Sequence, residues 1–339
     1  MSEEVKELAV EKEQIKVALT GRLGGINRER TSFWLKVAGV IAAATAGSLT
    51  LLVGAASYPL ASLLVRPKMK RVSQLKSPRL RNFINRLDIS IEDISFTSFD
   101  NTRLHGWWLE TAKTASTVVM IHGVTKNRTD VLRAAITLRQ AGFNVALLDG
   151  RGHGHSEGTH ITYGFYERRD IETLIDWLIA NKNIAKERIG LAGESMGAAI
   201  ALQVAAHNEW IRCVWADSPF ASLSRVSNEF IQSATGLPSA ALIPLMWSAK
   251  RVANYRGKFD IEAIEPGRLA AQIKCPVFLV HGTADQLISV AHSKEIYNAL
   301  TIEKELWIVE GIRHARAARH AKRLYSERLT SFFKARLPG

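Results

Sequence analysis

From Ile89 onward the chain alternates between two hydrophobic periods. Residues Ile89–Phe99 alternate between apolar and polar positions, Asn101 closes a turn, and Leu104–Leu109 runs on as a second strand, which together predict a hairpin. Continuous apolar runs follow at Thr117–Ile121, Phe143–Leu148, Arg188–Ala192, Ile211–Ala216, Pro276–Val280 and Glu305–Val309. Between them lie stretches with helical spacing. Asp130–Gln140 is one, stopped by Gly142. Glu167–Asn181 is another, with Ile171, Leu174, Ile175 and Leu178 on one face. A small-residue helix begins at Ala198, and a last helix is predicted over Ala315–Phe333. Buried strands alternating with helices predict an α/β domain over 89–339, a mainly parallel sheet covered on both faces.

The segment Pro219–Gln272 breaks this rhythm, being longer than one crossover helix needs. It contains Phe220, Phe230, Leu237, Leu245, Met246, Trp247 and Tyr255, and is read as an inserted lid over 219–272 that supplies an apolar pocket.

The first 88 residues follow a different pattern. Residues 1–36 form a mixed-charge tail with helical spacing over Glu3–Thr20. Val37–Val65 is uncharged throughout, long enough for the ~20 residues that a membrane helix requires, with Pro59 marking an end or a kink. A cleaved signal peptide has a shorter apolar core behind a short basic segment. Six acids in the long preceding tail favour an uncleaved transmembrane anchor over 37–65. Residues 66–88 form a basic juxtamembrane linker: Arg66–Arg86 holds eight Lys or Arg and no acid, against four basic residues before the span (Arg22, Arg28, Arg30, Lys36). That asymmetry places the following domain in the cytoplasm.

The net charge of +13 raises the question of a nucleic-acid partner. The first basic block is explained more simply by anionic lipid headgroups, and no nucleic-acid motif accompanies it or the basic stretch from Gly311 onward. Membrane lipid is therefore the expected macromolecular partner. The two cysteines, Cys213 and Cys275, sit in apolar runs and are expected buried and unpaired.

The chemistry gathers around Gly193-Glu194-Ser195-Met196-Gly197, a G-x-S-x-G pattern between a predicted strand and a predicted helix. A nucleophilic serine has to sit on a sharp strand-to-helix turn, and small residues two before and two after relieve the crowding there. The helix start then aims free N–H groups at a reacting oxygen. The pentapeptide alone is weak; its context is what carries weight. Such a serine needs a base and an acid that orients the base, in the order Ser, Asp or Glu, His. His281-Gly282-Thr283-Ala284-Asp285 ends one strand, and His314 follows the last strand. Ser195, Asp285 and His314 are thus the candidate triad, with the N–H groups of Val124 and Met196 as oxyanion donors. Asp217 also ends a strand and competes with Asp285, although the expected order favours Asp285. His292 is read as capping the helix that begins there, His122 as bracing the oxyanion loop, and Asp149 as stabilising the Gly-rich turn after it. His320 falls inside a helix, and His153 and His155 lack ligand-spaced partners for zinc.

The motifs His122-Gly123, Asp149-Gly150-Arg151-Gly152-His153-Gly154, Gly193–Gly197, His281–Asp285 and His314, in this order, resemble the α/β-hydrolase superfamily over Ile89–Phe333. Tyr163–Glu167 and Asp176-Trp177-Leu178 look like its bacterial serine-aminopeptidase-like or lysophospholipase-like group. The resemblance implies an α/β-hydrolase fold: an eight-stranded, mostly parallel sheet with helices on both faces and an inserted lid, here preceded by one transmembrane helix. It implies triad roles for Ser195, Asp285 and His314, a small-molecule acyl substrate, and no metal or organic cofactor. A serine nucleophile argues against the dehalogenase and epoxide-hydrolase chemistry that the superfamily runs with aspartate. The expected activity is a membrane-anchored serine hydrolase of an ester, thioester or amide, with a lipid-like acyl ester favoured. A peptidase of short peptides and a non-catalytic membrane binding module are the alternatives. Arg313 stands where the family commonly has a small or neutral residue. Its guanidinium either lies near the imidazole, where it would disfavour imidazolium, or points into solvent.

Overall fold

The computed structural model describes residues 46–69, 82, 84–86, 89–236 and 238–338. The predicted tail over 1–36, residues 37–45 of the predicted span and much of the linker over 66–88 lie outside them. Two compact units divide the chain. The larger takes residues 61–228 and 250–339, and the smaller takes residues up to Leu60 together with Glu229–Ala249.

Eight strands build the larger unit: β1 (Glu92–Thr97), β2 (Arg103–Leu109), β3 (Thr117–Ile121), β4 (Asn144–Asp149), β5 (Ile189–Glu194), β6 (Val214–Asp217), β7 (Val277–Gly282) and β8 (Lys304–Val309). They form one sheet in the order β1-β2-β4-β3-β5-β6-β7-β8. The hairpin β1–β2 and the pair β2–β4 are antiparallel, and every pair from β4 to β8 is parallel. The apolar runs are continuous because both faces are covered, and the period of two sorts them. Val119, Ile121, Ala146, Leu148, Leu191, Ala216 and Leu279 point into one core, with the helices Glu167–Lys182, Met196–His207 and Val290–Ala299. Val118, Met120, Val145, Leu147, Trp215, Phe278 and Val280 point into the other, under the helices Arg128–Gln140 and Lys322–Arg336. In that second core Trp215 stacks on Phe278 with ring centroids 4.2 Å apart, and its Nε1 donates to the Tyr325 hydroxyl at 3.0 Å.

Three expectations need correction. The last helix is two pieces, Ala317–His320 and Lys322–Arg336, and Ala315 lies outside both, in the left-handed region at φ 47°. The predicted membrane span does not run free to Val65. The helix Ala46–Val65 contains Pro59, and its last turn belongs to the larger unit. Ala61 and Val65 are fully buried with Ala199, Phe220, Phe259 and Ile261. The carbonyl of Leu64 accepts from the Tyr163 hydroxyl at 2.9 Å, and that of Val65 from the Ile161 N–H at 2.9 Å. Among the described residues no helix is long and apolar enough to cross a membrane. An uncharged apolar turn suits a protein surface as well as lipid, and composition alone does not separate the two. The linker is likewise part of the fold in places: Ile84 is buried in the second core, and Met69 packs on the first.

The segment predicted as a lid is helical, with Leu223–Thr235 and Ser239–Gly257 followed by short turns. Only 229–249 of it falls in the smaller unit, where Ile231, Leu242, Met246 and Ala249 share an apolar cluster with Leu60. Ile243 and Trp247 are exposed there.

The Gly-rich loop after β4 is held by buried charge. Asp149 accepts from the N–H groups of Arg128 and His155, each at 2.9 Å, as expected for a turn-stabilising carboxylate. Arg151 forks onto Asp170, with Nε to Oδ2 at 2.7 Å and NH2 to Oδ1 at 2.6 Å, and reaches Asp100 at 2.9 Å. Burial pushes the Asp170 carboxyl pKa up, so the charge on this side chain depends on the guanidinium against it. Removing one partner of a buried pair strands the other, at a cost of roughly 3–5 kcal/mol. Arg151→Leu is therefore expected to lower the urea midpoint sharply, and adding Asp170→Asn to recover part of the loss. An unchanged midpoint in Arg151→Leu would show that the fork does not hold the loop.

Candidate active site

Ser195 joins β5 to the helix Met196–His207 with φ 56° and ψ −117°, a backbone conformation rare for a residue with a side chain. The turn is pinned on both sides. The Ser195 N–H donates to the Asp217 carbonyl at 2.7 Å, and the Ser195 carbonyl accepts from Ala199 at 3.1 Å. The flanking glycines are steric necessities. A Cβ on Gly197 would stand 2.1 Å from the Ile121 carbonyl oxygen, and one on Gly193 would stand 2.3 Å from the Gly197 carbonyl.

His314 and Asp285 come to this serine from two other loops. His314 Nε2 lies 2.8 Å from Ser195 Oγ, and His314 Nδ1 lies 2.7 Å from Asp285 Oδ2. A carboxylate only accepts, so Nδ1 carries the proton and the Nε2 lone pair faces the hydroxyl. Asp285 is saturated with donors. Its Oδ1 accepts from the N–H groups of Leu287 and Ile288 at 2.9 and 3.0 Å, and His281 Nε2 adds a contact to Oδ2 at 3.2 Å. Burial opposes its ionisation, but the hydrogen bonds from His281 and His314 win and hold the carboxyl well below its usual range.

His281 was unassigned within its motif and turns out to set this acid. It is fully buried, with Nε2 shared between Asp285 and the Ile288 carbonyl at 2.9 Å, and Nδ1 accepting from Ser293 Oγ at 2.6 Å. The two acceptors at Nε2 fix its proton there.

The competing acid Asp217 does another job. It is buried, its pKa is pushed up by burial, and its Oδ1 accepts from Ser218 Oγ at 2.9 Å. Ser218 Oγ in turn accepts from the Ala315 N–H at 3.2 Å, next to the histidine. The Ile312 carbonyl is held from the other side by the Ala284 N–H at 3.1 Å. The loop carrying His314 is therefore clamped to the strand ends on both sides of the imidazole.

Val124 and Met196 both border Ser195. Met196 opens its helix, so its N–H has no partner within it, and Val124 lies on the cleft wall beside Gly123. A Cβ on Gly123 would be 3.3 Å from Ser195 Cβ, so the loop after β3 approaches the serine closely. His122 braces that loop as expected. It is buried, its Nε2 accepts from the Gly150 N–H at 3.0 Å, and its Nδ1 donates to the Gly123 carbonyl at 2.8 Å. Burial lowers its pKa to about 4, so it stays neutral.

His292 does not cap its helix. Ser289 does, by accepting from the Ala291 N–H, while His292 is buried with Nδ1 accepting from the Ala221 N–H at 3.0 Å. His153 is buried against His122, whereas His155 turns to Arg128; His320 is exposed. Cys213 and Cys275 are buried free thiols.

The assembled groups face a cleft of about 400 Å³ lined by Gly123, Val124, Thr125, Lys126, Glu194, Ser195, Ala284, Gln286, Leu287 and Arg313–Arg316. Arg313 is exposed on that wall. Chemically, a hydroxyl with an imidazole nitrogen at hydrogen-bond distance, and a carboxylate behind the ring, can deliver an alkoxide-like nucleophile to an electrophilic carbon in the cleft.

A family model described as serine aminopeptidase, S33, matches residues 112–253. The protein YqkD of Bacillus subtilis is 30% identical over 231 residues, covering 68% of this chain and 74% of that protein. YfhR of Escherichia coli K12 is 28% identical over 257 residues, covering 73% and 82%. Among solved structures, the Pyrococcus furiosus esterase Pf2001 superposes with a TM-score of 0.65 at 27% identity, over 81% of this chain and 99% of that one.

The geometry separates the two acids experimentally. Asp285→Asn is expected to slow covalent labelling of Ser195 by a fluorophosphonate by at least ~10²-fold, because the amide no longer fixes the imidazole proton on Nδ1. Asp217→Asn is expected to cost far less. The reverse ranking would transfer the orienting role to Asp217.

Proposed function

The chain belongs to the α/β-hydrolase superfamily, and on that premise we propose that it is a serine hydrolase of carboxylic esters, thioesters or amides. In this reading Ser195 Oγ attacks the carbonyl carbon while His314 Nε2 takes its proton, and the N–H groups of Val124 and Met196 hold the oxyanion. His314 then returns the proton to the leaving group, and water repeats the sequence on the acyl-enzyme. Asp285 keeps the imidazole oriented and stabilises the imidazolium. The observation that carries the reading is the continuous chain Asp285–His314–Ser195 at 2.7 and 2.8 Å, on a serine held at positive φ.

Esters are favoured because the solved relative Pf2001 is described as an esterase. A peptidase reading draws on the description of the matching family as serine aminopeptidase. Acyl esters and aminoacyl amides compared on the full chain in detergent separate the two. Ser195→Ala is expected to lower turnover of the better substrate at least ~10³-fold with the fold intact, and to abolish fluorophosphonate labelling. Near-normal hydrolysis by that variant would exclude Ser195 as nucleophile, and absence of labelling in the parent chain would favour a binding module.

The same proposal includes attachment to a membrane and a lipid-like acyl substrate. Its support is the uncharged run ending at Val65, the eight basic residues that follow it, and the exposed Tyr58, Ile243 and Trp247 of the smaller unit. The charge asymmetry orients the hydrolase domain to the cytoplasm. The full chain is expected to sediment with membranes after a high-salt wash, and protease added outside intact cells should spare the residues after 66. Release by salt alone would reduce the attachment to the basic charge.

A further inference from the structure

Three cations border the cleft that holds Ser195, and two different loops carry them. Lys126 comes from the loop after β3, and Arg313 and Arg316 come from the loop that carries His314. Gly123 ties the first of these to the serine, since a Cβ there would lie 3.3 Å from Ser195 Cβ and 3.8 Å from Lys126 Cγ. Arg313 is the chain neighbour of the imidazole that reaches Ser195 Oγ at 2.8 Å.

A chain with 45 Lys and Arg against 32 acids carries surface cations in many places. What sets these three apart is their place, on the wall of the cleft that holds Ser195. Arg313 and Arg316 are exposed and form no ion pair among the described residues. Lys126 has one ion-pair partner among the described residues, Asp130 at 3.4 Å, and its side chain remains 43% exposed. The acid on the cleft wall is Glu194. Burial, reinforced by Asp217, pushes its pKa up to about 8 against the pull of Lys126, which weakens the negative charge it sets against the cations.

We propose that Lys126, Arg313 and Arg316 select substrates bearing an anionic group, a carboxylate or a phosphate, beside the scissile carbonyl. The inference rests on the Ser195 hydrolase reading and gives it a substrate class. An exposed lysine is a mobile point charge, whereas the planar fork of arginine matches both oxyanions with two parallel hydrogen bonds. Together these side chains would also draw anionic substrates toward the cleft, an effect that salt screens.

The test compares kcat/KM of the full chain in detergent for two matched pairs. One is mono-4-nitrophenyl glutarate against 4-nitrophenyl valerate, which places a carboxylate on the acyl side. The other is a 1-acylglycerol 3-phosphate against the corresponding 1-acylglycerol, which places a phosphate on the alcohol side. At low salt the anionic member of at least one pair is expected to be preferred by ~10-fold or more, and the preference should shrink as salt is added. The pair that shows it identifies the anion and the side it occupies. Combined reversal in Lys126→Glu, Arg313→Glu and Arg316→Glu is expected to lower the anionic-to-neutral ratio at least ~10-fold, a readout that loss of folded protein does not move. A ratio of one or less in both pairs, or one that charge reversal leaves unchanged, overturns the proposal. If Ser195 is labelled and neutral esters are turned over under those conditions, only the anion selectivity has failed. If no ester is cleaved and Ser195 resists labelling, the hydrolase reading falls and this inference with it.

Discussion

A backbone that bends the wrong way at one residue organises this molecule. A non-glycine residue at positive φ and extended ψ costs on the order of 1–3 kcal/mol, and it persists only where its surroundings over-determine it. At Ser195 they do. The strand ladder supplies the Asp217 carbonyl on one side, and the helix takes up the Ser195 carbonyl on the other. Gly197 lets that helix start against β3 with no room for a methyl group. The parallel sheet and the packed helix are therefore what hold a hydroxyl out into the cleft. The other partners arrive from loops at the same ends of β7 and β8, where a parallel sheet collects its loops.

Much of this was readable from residue patterns because parallel strands buried on both faces leave continuous apolar runs, as at Thr117–Ile121 and Asn144–Asp149. The motif order brought out Ser195, Asp285 and His314 because each lies at the end of such a run. Interactions between residues far apart in the chain were not readable. Nothing near Arg151 announces that its fork closes on Asp170, a helix residue 19 positions on. His281 is adjacent to a recognised acid, yet its contact with that acid depends on how the turn 282–288 folds back on the strand. His292 was mistaken for a cap because a polar residue near a helix start satisfies that pattern, whereas Ser289, three residues earlier, holds the position. The extent of the apolar run at Val37–Val65 was legible, but not what its final turn would pack against.

The polar groups around the cleft fall into two layers with different physical origins. Deep in the site Asp285 is bound to four donors, His122 to two loops and Asp217 to Ser218. Those groups are committed to architecture. At the rim, Arg313 and Arg316 are committed to nothing among the described residues. The contrast marks where geometry ends and selectivity can be adjusted without disturbing the elbow.

The docked turn at Ala61–Val65 changes what counts as the catalytic body. A boundary drawn at the start of the sheet would discard a wedge that fills the space between Phe220, Phe259 and Ala199. Ala199 lies on the elbow helix, one turn after the serine, and its N–H holds the Ser195 carbonyl. A fragment trimmed at β1 would open a hole beside the helix that supports Ser195 and leave the Tyr163 hydroxyl and the Ile161 N–H without their acceptors. The segment leading in from the N-terminus is thus a keystone of the hydrolase scaffold, and the smallest self-sufficient unit has to begin before Ala61.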